Sequence, residues 1–239
     1  MELAAGWQDA LFDEIRRATE ADPRIVAVRA CGSVAAGSAS DWSDLDVAVR
    51  VQGHAAGEIA SAAWLSQFGP VWATDASASS VRSVVRAVYA DGRRLDLSVA
   101  AAGPARVAQP PALSRLAART TRVRFTAAMA VVRAARGDAL LAAHLALGFG
   151  RDCLELAVQI RDRALANNHG LGDAGAQAAQ RVAVLLAGAG DRQGCYPAIE
   201  GLAALYDELA ATVDSSYAAD WSGLASLLAK ARHALATPV

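Results

Sequence analysis

Apolar residues recur at helical spacing where the chain begins: Leu3, Trp7, Leu11 and Ile15 line one side of Glu2 to Thr19. Asp22-Pro23 closes that stretch, so the pattern predicts an amphipathic helix at the start. The period then changes. Arg24 to Cys31 (RIVAVRAC) is a β-branched run that stops at Gly32-Ser33, and Leu45 to Val51 is a second such run. Ala55 to Phe68 returns to helical spacing between Gly53 and Gly69. Val81 to Tyr89 and Arg94 to Val99 flank Ala90-Asp91-Gly92-Arg93, and an Asp-Gly pair between strand-like runs predicts a hairpin. Beyond Gly103-Pro104 and Pro110-Pro111 the alternation gives way to Ala- and Leu-rich helical spacing. Helices are predicted over Arg122 to Arg136, Asp138 to Asn167, Asp173 to Leu186, Pro197 to Val213 and Ala218 to Leu235, broken at Gly137, at Asn168 to Gly172 and at Gly188 to Gly194. The expected fold class is α+β, a mixed-sheet domain over residues 1–110 followed by a C-terminal α-helical bundle over 111–239.

Composition narrows the classes of function. With 239 residues, 54% of them hydrophobic, the chain can bury one large core or two modest ones. A formal net charge of −1 supplies no basic field for neutralising phosphates, so nucleic acid is not expected as a partner. The longest uncharged apolar stretches fall short of the roughly 20 residues a membrane helix needs, so no membrane association is expected. Glu2, Asp9, Asp13 and Glu14 do not make a secretory leader. Cys31, Cys153 and Cys195 are odd in number and far apart, which argues against a disulfide framework or a zinc site and for a cytoplasmic location.

The chemistry gathers in Cys31 to Val47, CGSVAAGSASDWSDLDV. Asp44 and Asp46 alternate with Leu45 and Val47 at the start of a predicted strand, so both carboxylates share one face. Two such carboxylates suit a hard divalent cation such as Mg2+, which keeps open positions for a nucleoside triphosphate. Upstream, Gly32, Ser33 and Gly37 follow the first strand, where glycine permits close backbone approach and a hydroxyl can donate to a phosphate oxygen. Ser43 is placed to brace the turn before Asp44. In RRLDLSV, Asp96 alternates with Leu95 and Leu97, and it would supply a third carboxylate if its strand neighbours the one beginning at Asp44. Three carboxylates would hold two metal ions about 4 Å apart, or two ligands and a general base. The bland alternative for Asp96 is an edge-strand residue paired with Arg93 or Arg94.

Gly32-Ser33, Gly37 and Ser43-Asp44-Leu45-Asp46 together resemble the Gly-Ser…Ser-Asp-x-Asp signature of the nucleotidyltransferase superfamily that includes DNA polymerase beta. With the later acidic residue and a helical second half, the chain resembles the antibiotic nucleotidyltransferases that act on aminoglycosides or lincosamides. The resemblance implies Asp44 and Asp46 as metal ligands, Asp96 as third ligand or base, and Ser33 as a triphosphate contact. It implies transfer of a nucleoside monophosphate, AMP from ATP first, to a hydroxyl of a small molecule. Cys31 departs from the aromatic or bulky apolar residue often found at its position.

For the acceptor, Asp152, Glu155, Gln159 and Asp162 fall on one helical stripe that suits a cationic molecule, and Arg151 and Arg163 border it closely enough for a solvated, ion-paired face. Arg133 and Arg136 fit the C-terminal end of a helix, and the four histidines have no partner spacing. The alternative function is a regulatory nucleotidyltransferase that modifies a partner protein, antitoxin-like, or a degenerate nucleotide-binding module; a homodimer is left open.

Overall fold

A computed structural model describes residues 6–52, 55–79, 82–101, 115–167 and 174–236, with the side chains of 164–167 and 174–175 excepted. The chain divides into two compact units, Met1–Ser114 and Arg115–Val239. The boundary expected at 110/111 lies in 102–114, outside the described residues. The architecture is α+β, a mixed sheet followed by helices.

In the first unit, α1 (Trp7–Glu20) leads to β1 (Ile25–Ala30), the single-turn α2 (Gly32–Ala35) and β2 (Leu45–Val51). Then come α3 (Ala56–Ile59), α4 (Ala62–Leu65), a 3-10 turn at Ser66–Phe68, β3 (Val71–Ala78), β4 (Arg82–Tyr89) and β5 (Arg94–Ala101). The strands form one five-stranded sheet in the order β1-β2-β5-β4-β3, with β2 and β5 parallel and every other neighbouring pair antiparallel. One face is covered: Leu45, Val47, Val49, Leu95, Leu97 and Val99 are buried with Leu11 and Ile15 of α1, Ile59 of α3 and Leu65 of α4. The alternate residues of the central strands turn to the other face, as the period of two requires.

Two readings of this unit are corrected. Ala55 to Phe68 is not one helix, because Ser61 adopts an extended backbone and its hydroxyl accepts from Trp64 N at 3.1 Å, capping a new turn inside the stretch. β3 had no counterpart in the hydrophobic pattern; its second half is exposed and rich in Ser, Ala and Asp, and pairing with β4 holds it extended. Leu3 of the expected opening helix lies outside the described residues.

The second unit comprises α5 (Arg115–Ala135), α6 (Ala139–Asn167), α7 (Ala174–Ala187), α8 (Arg192–Val213) and α9 (Ser222–Ala236). α5 packs on α6, α8 and α9, and α7 on α6 and α8. Its buried residues include Val123, Val131, Phe149, Leu156, Ile199 and Leu227. α5 begins at Arg115 rather than Arg122, and Thr120 in the added turns meets the buried Tyr206 hydroxyl at 3.0 Å. α8 begins at Arg192 and contains Pro197 rather than starting there, because Asp191 caps it by accepting from Gly194 N at 2.7 Å. α9 begins at Ser222, whose N–H donates to Asp220 Oδ1 at 3.0 Å, rather than at Ala218.

Candidate active site

The parallel pairing of β2 and β5 sets Asp46 directly opposite Asp96. Leu45, Val47, Leu95 and Leu97 on either side are buried, so both carboxylates stand on the uncovered face, and Asp44 comes just before the strand on the same side of the pleat. Burial and neighbouring charge raise the proton affinities of Asp46 and Asp96. Asp46 is raised from the ordinary carboxylate value by burial and by the charge of Asp44. Asp96 is pushed up to about 6, first by burial and then by Asp44, with Arg86 opposing and Asp46 adding to the rise.

Arg86 of β4 is the cation that faces this cluster. Its Nε donates to Asp96 Oδ2 at 3.2 Å and its Nη1 to Asp75 Oδ2 of β3 at 3.1 Å. The expected partners of Asp96 are engaged elsewhere: Arg93 donates to Asp91 at 2.7 Å and to Phe68 O at 2.8 Å, and Arg94 Nη2 donates to Trp42 O at 2.7 Å.

The turn before β2 is fastened to it. Cys31 N donates to Asp46 O at 2.8 Å, which brings Gly32 against the Asp46 side chain. Gly32 has φ +57°, and a Cβ there would overlap Asp46 Oδ2 and lie 2.9 Å from its Cγ. Both the backbone conformation and the close approach require glycine at this position. Ser33 is half-buried in α2, its carbonyl accepting from Ser38 N at 2.9 Å. Ser43 is buried and its hydroxyl accepts from Ser40 N at 2.9 Å, so that oxygen braces the loop leading to Asp44. Gln8 of α1 adds donations to Ser40 O at 3.2 Å and Ser43 O at 3.3 Å. The sequence pattern missed Gln8 and Arg86, and it named Arg94 only as a partner for Asp96; Arg86 alone of the missed pair carried a signal, as a charged residue within a β-branched run.

The donor set is chemically suited to a hard cation, since carboxylates gathered on one face gain from a divalent charge between them. As the side chains stand, no group of three or more His, Cys, Asp or Glu among the described residues is arranged to hold a metal ion. The uncovered face of the sheet forms a groove of about 660 Å3, with Asp46, Asp96 and Arg86 in one part and Arg29, Arg50 and Arg82 in another.

In the helical unit, Asp152 is buried at 2% exposure and takes a hydrogen bond from Arg122, whereas Glu155 is exposed. Glu155 receives Arg119 Nη2 at 3.2 Å and lies 3.6 Å from Arg151 Nε, and Asp162 receives Arg161 Nη2 at 2.8 Å. The stripe is thus laced with ion pairs. Glu155 and Asp162 border a shallow depression of about 710 Å3 together with Arg119, Arg151 and Arg163.

No protein-family model and no functionally curated protein matches the chain. Among solved structures it is similar to an aminoglycoside 6-adenyltransferase from Bacillus subtilis, with 12% sequence identity, a TM-score of 0.38, and coverage of 96% of this chain and 99% of that one. At that level the likeness assigns no activity to this chain. No helix among the described residues is long and apolar enough to cross a membrane.

Proposed function

We propose that this chain is a nucleotidyltransferase, moving a nucleoside monophosphate, AMP from ATP in the first instance, to a hydroxyl of a small molecule. The observation that carries this reading is the register that sets Asp46 beside Asp96, with Asp44 just upstream and Gly32 packed against the Asp46 carboxylate. Three carboxylates at that spacing on one uncovered face destabilise one another unless a cation or a proton is shared among them.

Asp44, Asp46 and Asp96 would hold magnesium, with Arg86 withdrawing toward Asp75. Bound there, the metal supplies charge that promotes loss of the acceptor's proton and offsets charge on the leaving pyrophosphate. In the transfer, the acceptor oxygen forms a bond to the α-phosphorus and the bond from that phosphorus to the bridging oxygen breaks. Pyrophosphate leaves with the electron pair. Asp96 serves as the third ligand or, in place of that role, as the base that takes the hydroxyl proton. The Ser33 hydroxyl donates to a phosphate oxygen, and Gly32 keeps the turn close to Asp46.

Aminoglycosides and lincosamides, which the motif suggests, head the panel of acceptors. A partner protein as acceptor would call for a contiguous apolar surface. Of the large apolar side chains exposed in the described part of the helical unit, Leu140, Leu147 and Val158 share one face of α6, where Arg151 interrupts them, while Val184 and Leu235 stand on α7 and α9.

The test is pyrophosphate release from Mg-ATP over the acceptor panel. Asp44→Asn and Asp46→Asn are each expected to lower turnover by about 1,000-fold or more while leaving the far-ultraviolet circular dichroism unchanged. Near-normal turnover in both variants would sink the mechanism, and no release with any nucleoside triphosphate, over a panel that also holds hydroxyl compounds bearing a carboxylate or a phosphate, would sink the class.

A further inference from the structure

The register of the sheet arranges the uncovered face in three rows. Asp46, Asp96 and Arg86 lie side by side across β2, β5 and β4. Arg29, Ala48, Ser98 and Val84 make the next row, and Ala27, Arg50, Ala100 and Arg82 the third. At about 3.3 Å per residue the second row is about 7 Å and the third about 13 Å from the carboxylates. Small side chains floor the space between, and the groove of about 660 Å3 is of a size that takes a small molecule.

Arg29, Arg50 and Arg82 are exposed and line this groove. Among the described residues no carboxylate pairs with any of them, whereas Arg24, Arg86 and Arg93 of the same unit are each paired. The groove therefore has an acidic end and a basic end. Guanidinium groups present planar donor forks that match carboxylate and phosphate oxygens.

Geometry decides which reactant brings that anion. In an in-line displacement the attacking and leaving oxygens lie on opposite sides of the phosphorus. The Gly32-Ser33 turn, proposed for the triphosphate, is fastened by Cys31 N to Asp46 O at the start of β2. Arg50 of β2 and Arg82 of β4 lie about 13 Å and Arg29 of β1 about 7 Å from the carboxylates along the strands, on the side away from that turn, which leaves them to the acceptor.

We propose that the acceptor is a small hydroxyl compound that also carries an oxyanion, a carboxylate or a phosphate, bound by Arg29, Arg50 and Arg82 while its hydroxyl faces Asp46 and Asp96. An aminoglycoside is a polycation and would meet three arginines here. This inference rests on the nucleotidyltransferase reading for the hydroxyl end and on the arginines alone for the anion.

The test uses the full chain, free of magnesium and at low salt, titrated with inorganic phosphate and separately with succinate, following the arginine Nε–H resonances by NMR. Saturable shifts of Arg50 and Arg82 are expected with at least one probe, and which probe binds more tightly tells phosphate from carboxylate. In the Arg50→Ala/Arg82→Ala double variant the affinity is expected to fall about tenfold or more, and in Asp46→Asn it is expected to persist. Mg-ATP affinity in the double variant is expected to match the unmodified chain. No saturable binding of either anion, or no loss in the double variant, overturns the proposal. A tenfold loss of Mg-ATP affinity also overturns it, by assigning the arginines to the nucleotide. The anion titration reads the arginines whether or not any nucleotide is turned over, so failure of the enzyme assay and failure here are told apart.

Discussion

Gly32→Ala adds a methyl group that would overlap Asp46 Oδ2, at a backbone φ of +57°. The strain of that conformation for alanine is about 1 kcal/mol, which the fold can absorb, so the main effect falls on where Asp46 points. A carboxylate displaced by about 1 Å is expected to lower turnover about 100-fold, with a melting temperature nearly that of the unmodified chain. Steady-state pyrophosphate release beside thermal melting checks this; unchanged turnover would dissociate Gly32 from the site. Asp96 yields a prediction in pH. Its folded-state value of about 6 stands above the ordinary 3.8, so the folded chain holds this proton more tightly than the unfolded one. The stability it contributes is fully present below about pH 4 and lost as pH rises through about 6. Without metal, Asp96→Asn is therefore expected to melt higher than the unmodified chain at about pH 7, with the difference closing toward about pH 4. A difference that grows on acidification would mean that Asp96 stabilises the fold in its charged form.

At the scale of elements, the junction of α7 and α8 shows what a backbone contact fixes. A Cβ on Gly194 would overlap Gly188 O and lie 2.8 Å from its carbonyl carbon, while Gly194 N donates to Asp191 Oδ1 at 2.7 Å. Backbone cannot step aside as a flexible side chain can, so Gly194→Ala is expected to destabilise the chain by about 1–3 kcal/mol in urea unfolding. The glycines of this segment were legible in the sequence as a break between helices, but not as a contact. The hairpin of β4 and β5 was legible for a sound reason, the Asp91-Gly92 pair between β-branched runs. Its register was not. A loop of residues 90–93 would set Ala87 opposite Asp96, whereas Tyr89 joins the turn, its N–H donating to Arg93 O at 2.9 Å, and Arg86 takes that place. A one-residue slip exchanges the faces of a strand, and it decides whether an arginine meets the third carboxylate.

For the whole molecule, ligand and fold are linked. If Asp44, Asp46 and Asp96 hold Mg-ATP, saturation at 100 times the dissociation constant is expected to stabilise the chain by about 2.7 kcal/mol. Chemical unfolding with and without Mg-ATP measures this, and the increment is expected to vanish in Asp44→Asn/Asp46→Asn. Much of the architecture was legible in the sequence, because the change from alternating β-branched runs to Ala- and Leu-rich spacing is a property of whole segments. The site was legible to the extent that a single short segment carries Gly32, Ser33, Asp44 and Asp46. The charges around it come from segments distant in sequence, as with Arg86 and the three arginines of the groove, and no local pattern reveals which of them the sheet brings together.

The parallel pairing of β2 with β5 also spans the greatest sequence separation in the sheet. β1 with β2, and β3 with β4 and β5, are each local antiparallel pairings that can form as their own residues come together. Joining the two ladders along β2 closes the longest loop in the sheet and is the slow kind of contact in folding. Asp46 and Asp96 sit on opposite sides of that seam. A chain emerging from the ribosome carries the Gly-Ser turn and the first two aspartates well before it carries a site, and only the last strand in sequence supplies the other half of the acidic pair.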